Sequence, residues 1–234
     1  MEKLPSPFVN QCGTAVARGL LFPRVRARVI ERERTAAPAG WILASNHISH
    51  FDPPILSTIS RRAIDWMAME ELFRSKLGAW FYRGLGAFPV RRGRADRTAL
   101  KTVMDRLKAG RVVGIFPEGG LRAGPTSVLE GAPIKSGISL LSVMANAPIR
   151  PCVLIGTDRL YRAANWRPGP RVPVWAAFGE FIGPDTTLEK AEAMAKIETE
   201  LSAAFLSLKA KLIREFGLSP NDLPQTPQHR KGEE

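Results

Sequence analysis

The chain has 234 residues and is 44% hydrophobic, enough to bury the core of one domain and too apolar for a wholly disordered protein. Its 34 basic against 22 acidic residues leave a formal charge of +12, which calls for an anionic partner such as nucleic acid, an acidic membrane face or a phosphorylated small molecule. Two isolated cysteines speak against a disulfide framework, the N-terminal residues lack the apolar core of a secretory signal, and the uncharged run 136–149 falls short of the ~18 to 20 apolar residues that cross a bilayer, so a cytoplasmic location is expected.

In chain order, residues 7–22 put Phe8, Cys12, Ala15, Val16, Leu20 and Leu21 near one helical face, with Arg18 as the single charge among them. This amphipathic helix is expected to cover a core or to rest on a membrane. Residues 24–29 alternate arginine with Val and Ala, the period of a strand with one basic face, and 31–40 form a loop. The apolar run 41–45 is a buried strand. Asp52 and Pro53 read as the N-cap and first residue of a short helix ending near 60. A strand over 63–68 leads to a helix over 70–83, whose Leu72, Phe73, Leu77, Trp80 and Phe81 suit core packing or, less simply, a wall against a long apolar ligand. Gly84 and Gly86 break that helix, and a strand over 87–90 opens into Arg91, Arg92 and Arg94.

The clearest helix covers 94–108, with Leu100, Val103, Met104 and Leu107 on one face and Gly110 closing it. Strands over 111–116, 149–155 and 171–178 and helices over 134–145 and 188–216 follow, and the polar, proline-rich residues 219–234 are expected to be disordered. The alternation of strands and helices predicts an α/β fold with a mostly parallel central sheet flanked by helices. The chain divides into an N-terminal amphipathic helix and basic strand (1–40), a main domain (41–217) and a polar tail (218–234).

Two of the three histidines lie in Asn46-His47-Ile48-Ser49-His50-Phe51-Asp52, in the turn between a buried strand and a helix. Ligand-binding side chains of α/β folds gather at such strand ends. An imidazole beside a carboxylate can take a proton from a hydroxyl, the carboxylate orienting the ring and stabilising the imidazolium, so His47 is the candidate base and Asp52 its partner. The plain alternative makes Asp52 a helix cap and the histidines turn residues. A zinc site from His47, His50 and Asp52 lacks a further ligand, since Cys12 and Cys152 are isolated and His229 lies in the tail.

Two more strand-end turns stand out, Gly86-Ala87-Phe88-Pro89-Val90-Arg91-Arg92 and Phe116-Pro117-Glu118-Gly119. With the His-x4-Asp block and the strand Ala147-Pro148-Ile149-Arg150-Pro151-Cys152 they stand in the order of four sequence blocks of a known group. Over about residues 40–180 the chain resembles the glycerolipid acyltransferases of the lysophosphatidic acid acyltransferase family. The resemblance implies transfer of an acyl group from acyl-CoA or acyl carrier protein to a lysophospholipid hydroxyl. It makes His47 and Asp52 the catalytic pair and associates Arg92, Glu118, Gly119 and Arg122 with a phosphorylated acceptor, and it calls for no metal or other cofactor. One departure is visible: Gly120 and Leu121 stand where the family has Thr-Arg, so Arg122 comes one residue late.

A serine hydrolase would use the same His and Asp, but no Gly-x-Ser-x-Gly elbow is present. Nucleic acid is not the expected partner, because the sequence shows no zinc-finger spacing or RNP-like motif and its arginines cluster at the strand-end turns. A non-catalytic lipid-binding protein of the same fold is the rival from another class. The expected location is peripheral, on the inner face of an anionic membrane.

Overall fold

A computed structural model describes residues 7–84, 86–90 and 97–231. Among these, seven strands form one sheet: β1 (Val25–Ile30), β2 (Trp41–Ser45), β3 (Ile64–Met69), β4 (Phe88–Val90), β5 (Val112–Ile115), β6 (Ile149–Ile155) and β7 (Val172–Phe178), in the order β1-β7-β6-β2-β5-β3-β4. Neighbouring strands are parallel, apart from β6 and β7. The expected α/β architecture is therefore present. β2 takes the central place, and all five of its residues are buried, as expected of an apolar run with helices on both faces.

The two-residue period of the strands sorts side chains into two cores. Ile42 and Ala44 face Val103 and Leu107 of α4 (Arg97–Lys108), Ile138 of α5 (Gly137–Ala145) and Ile197, Leu201 and Phe205 of α6 (Lys190–Phe216). Trp41 and Leu43 point the other way, toward Ile55, Leu56 and Ile59 of α2 (Asp52–Ile59) and Leu21 of α1 (Pro7–Leu21). The result is three layers. Along α6 the fully buried Ile197, Leu201, Phe205 and Leu212 recur at helical spacing, each contributing roughly 1.5–3 kcal/mol of burial.

Several expectations change. The helix expected over 70–83 is a 3-10 turn, Glu70–Phe73, followed by α3 (Lys76–Gly84), with the Ser75 hydroxyl accepting from Gly78 N at 2.9 Å. Leu77 and Trp80 of α3 are 77% and 59% exposed, so they pack no core. α1 forms, but the edge it buries is Gly13, Ala17 and Leu21, while Val16 and Leu20 are 40% and 61% exposed. The cause is a close helix crossing: a Cβ on Gly13 would lie 2.2 Å from the backbone of Gly84, so only the small-residue edge can meet α3. The side chains of Phe8 and Cys12 lie outside the described part.

Residues 25–30 pair with β7 as the edge strand of the sheet and so belong to the main domain. The tail is folded through Lys231. Asp222 accepts from Ser219 N at 2.9 Å and from Arg159 Nη2 at 2.5 Å, and α7 (Pro227–Lys231) buries Arg230, whose Nε donates to Asp158 at 2.6 Å. Composition suggests disorder here because the partners that hold the segment sit some seventy residues upstream.

Candidate active site

The carboxyl end of β2 releases the chain through Asn46. Its side-chain amide donates to Leu154 O at 2.9 Å and accepts from Leu154 N at 2.8 Å, substituting for a ladder pair with β6 and letting the chain turn out of the sheet. The turn closes on Asp52, which is fully buried. Its Oδ2 accepts from His47 Nδ1 at 2.8 Å, Ile48 N at 2.8 Å and Ser49 N at 2.9 Å, and its Oδ1 accepts from Thr157 Oγ1 at 2.5 Å. The expected N-cap role is not what Asp52 does. α2 begins at Asp52 with Phe51 in the cap position, and the carboxylate reaches back into the turn.

An ionised carboxylate only accepts, so the Nδ1 contact makes that nitrogen the protonated one and leaves the lone pair on Nε2. The ring is also held from its face. His47 stacks on Phe116 at 3.9 Å and 12°, and Phe116 stacks on Trp66 at 5.0 Å and 10°, while Trp66 Nε1 donates to Ser57 Oγ at 2.8 Å. Gly114 makes room for this stack, because a Cβ there would lie 2.4 Å from the Trp66 ring.

The other sequence-predicted residues fall into distinct roles. Glu118 is 5% exposed and uses both oxygens inside the protein: one accepts from His47 N at 2.5 Å, the other from Ser127 Oγ at 2.7 Å and Val128 N at 2.9 Å. Burial pushes its carboxyl pKa up, and the bonds from Ser127, His47 and Val128 offset part of that rise. Through these bonds Glu118 braces the histidine turn. Gly119 has φ +67° and donates to Phe116 O at 3.0 Å, so its place here is backbone geometry.

The Arg122 N–H donates to His47 O at 2.8 Å, and its exposed side chain bonds Leu121 O at 3.0 Å. Glu118 and Arg122 thus grip both peptide groups of His47. Arg92 lies outside the described residues. His50 is exposed and pairs with the Tyr161 hydroxyl at 2.6 Å, away from Asp52, and desolvation lowers its pKa, helped by His47. No cluster of metal-binding side chains occurs among the described residues, and burial pushes the Cys152 thiol pKa up, which leaves it a core side chain.

Thr157 and Trp66 were not singled out from the sequence, and Phe116 entered only as the first residue of the Phe116-Pro117-Glu118-Gly119 turn. Thr157 follows Gly156 just beyond the end of β6, so the rule that strand ends carry sites points to it. The ring stack leaves no local signal.

A family model described as Acyltransferase matches residues 26–155. The 1-acyl-sn-glycerol-3-phosphate acyltransferase of Bacillus subtilis (strain 168) is 32% identical over 146 residues, covering 62% of this chain and 70% of that protein. A protein of the same name from Streptococcus pneumoniae (strain ATCC BAA-255 / R6) is 28% identical over 118 residues, 50% of this chain and 42% of that one. Among solved structures, the 1-acyl-sn-glycerophosphate (LPA) acyltransferase PlsC from Thermotoga maritima shares the fold with a TM-score of 0.60 at 23% identity, over 87% of this chain and 79% of that chain.

Proposed function

The chain belongs to the acyltransferase family and is an O-acyltransferase, and from that premise we propose that it moves a fatty acyl group from acyl-CoA or acyl carrier protein to the free hydroxyl of 1-acylglycerol-3-phosphate, a step of phospholipid biosynthesis. The observation that carries this reading is the His47–Asp52 pair, held by Thr157, Glu118 and Phe116, with no bond to Nε2 among the described residues. In the proposed step Nε2 takes the acceptor's hydroxyl proton as the oxygen attacks the thioester carbonyl. Buried Asp52 stabilises the imidazolium. When the tetrahedral intermediate collapses, the C–S bond breaks, and the departing thiolate takes the proton from Nε2.

The acceptor phosphate is assigned to Arg92 and Arg122, because a guanidinium fork matches phosphate oxygens and so aligns the hydroxyl with His47. Membrane lipid as the source of the acceptor fits the outer surface. Val16 and Leu20 of α1 and Leu77 and Trp80 of α3 are exposed apolar side chains on two helices that touch, and Arg74, Lys76 and Arg83 line a groove with Phe73 and Trp80. No described helix is long and apolar enough to cross a membrane. The combination suits a peripheral protein that rests on the inner, anionic face of a bilayer.

The test mixes purified protein with labelled acyl-CoA or acyl carrier protein and a panel of lysophospholipids and monoacylglycerol. Diacyl product is expected with the phosphorylated acceptor, and Arg92→Gln is expected to raise its KM without changing that for the donor. Equal use of lysophosphatidic acid and monoacylglycerol would overturn the acceptor assignment, and lack of product from every pair would overturn the reaction.

A further inference from the structure

β2 is the fourth of seven strands, so the site has two flanks. On the β5 flank stand Glu118 and Arg122. On the β6 flank, the connection from β6 to β7 and the C-terminal segment border an open cavity of about 370 Å³, lined by Arg159, Arg162, Arg171 and Arg230 with Asn165 and Pro173. We propose that this cavity binds the nucleotide phosphates of the acyl donor, a coenzyme A thioester; the inference rests on the acyl-transfer reading given above.

Charge is the first reason. Four guanidinium groups around one small space repel each other, and the carboxylates that offset them are two: Asp158 on Arg230 and Asp222 on Arg159. Among the described residues no carboxylate pairs with Arg162 or Arg171, so the cavity keeps an excess of positive charge that a multivalent anion would neutralise. The second reason is preorganisation, since ordinary surface arginines are free to wander. Arg230 is buried and donates to Asp158 at 2.6 Å and Leu223 O at 3.1 Å, and Arg159 donates to Asp222 at 2.5 Å. Arg162 is tied through Nε to Arg230 O at 2.9 Å, which leaves its terminal nitrogens for a ligand. Fixed forks of this kind suit phosphate.

Position is the third reason. The same segment touches the catalytic turn twice: Thr157 donates to Asp52, and the Tyr161 hydroxyl meets His50. The antiparallel sense of β7 brings its first residues, beside Arg171, to the edge of the sheet where β2 delivers His47. A transfer between two anionic substrates needs the thioester carbonyl and the acceptor hydroxyl together at Nε2, with their phosphates held apart. The two flanks meet that need, and the pantetheine arm spans the gap between a distant nucleotide and the reacting carbonyl. The volume lies at the lower end of small-molecule pockets.

The experiment compares the full-length wild type with the double variant Arg162→Gln/Arg171→Gln, both exposed positions, using acyl-CoA, acyl-pantetheine and acyl carrier protein as donors. Wild type is expected to prefer acyl-CoA to acyl-pantetheine. In the variant, kcat/KM for acyl-CoA should fall about tenfold or more through KM, whereas acyl-pantetheine efficiency and the acceptor KM stay as they were. Titration calorimetry with coenzyme A itself should show the same loss of affinity without any turnover. Equal efficiency of the two small thioesters in wild type overturns the proposal, as does a variant that is impaired only with acyl carrier protein. If no donor supports transfer, the acyl-transfer reading fails, and calorimetry still decides the cavity: coenzyme A binding that is unchanged in the variant refutes it.

Discussion

Replacing Thr157 by Val keeps the shape of the side chain and deletes one hydrogen bond. Three of the four donors to Asp52 converge on Oδ2, and the Thr157 hydroxyl is the one that serves Oδ1, at 2.5 Å in a fully buried setting. A hydrogen bond to a charged group is worth about 1.5–3 kcal/mol, and the valine would leave the carboxylate oxygen buried and without that donor. For a chain of this size each kcal/mol lowers Tm by roughly 2–4 °C, so a fall of roughly 3–12 °C is expected. The carboxylate also orients His47. If the lost stabilisation is felt by the imidazolium in the transition state, kcat falls by about tenfold to a hundredfold with KM for both substrates unchanged. Thermal unfolding and initial rates measure the two effects, and Thr157→Ser, which restores a hydroxyl, should recover most of each. Wild-type kcat in Thr157→Val, or an equal loss in Thr157→Ser, would refute the positioning role.

His47→Ala should lower kcat by ~10² to 10⁴-fold while the unfolding transition stays close to wild type, and His50→Ala should remain active, both read from initial rates. Glu118 gives a pH-dependent outcome. Its folded pKa lies above the unfolded value of 4.5, so its contribution to stability is fully present below that value and is lost as pH rises through the folded pKa. The uncharged Glu118→Gln lacks this dependence, and denaturation midpoints from pH 4 to 8 should show wild type losing ground relative to it as pH rises; parallel curves would contradict the assignment. Trp80→Glu together with Leu77→Glu should weaken flotation with anionic vesicles at high salt, where charge is screened and apolar contact remains, and should leave thermal stability nearly unchanged because both side chains are already exposed.

Local features of the chain were legible in the sequence. The run at 41–45 is apolar but for Ser45 and carries no charge, as a central strand requires; His47 and Asp52 are five residues apart, so one turn can join them; the spacing of Leu201, Phe205, Leu208 and Leu212 declares the buried face of α6. Each of these depends on a residue's near neighbours along the chain. Tertiary structure decided what depends on distant ones. Glu118 reaches His47 across 71 positions and Thr157 reaches Asp52 across 105, so a carboxylate of a distant turn braces the histidine, and an unremarked threonine holds the carboxylate beside it. The exposed edge of α1 and α3 likewise follows from the contact of Gly13 with Gly84, and the folded tail from Arg230 on Asp158. Periodicity shows that a helix has an apolar face, but which neighbour that face meets, and which buried charge finds its partner, is set by the path of the whole chain.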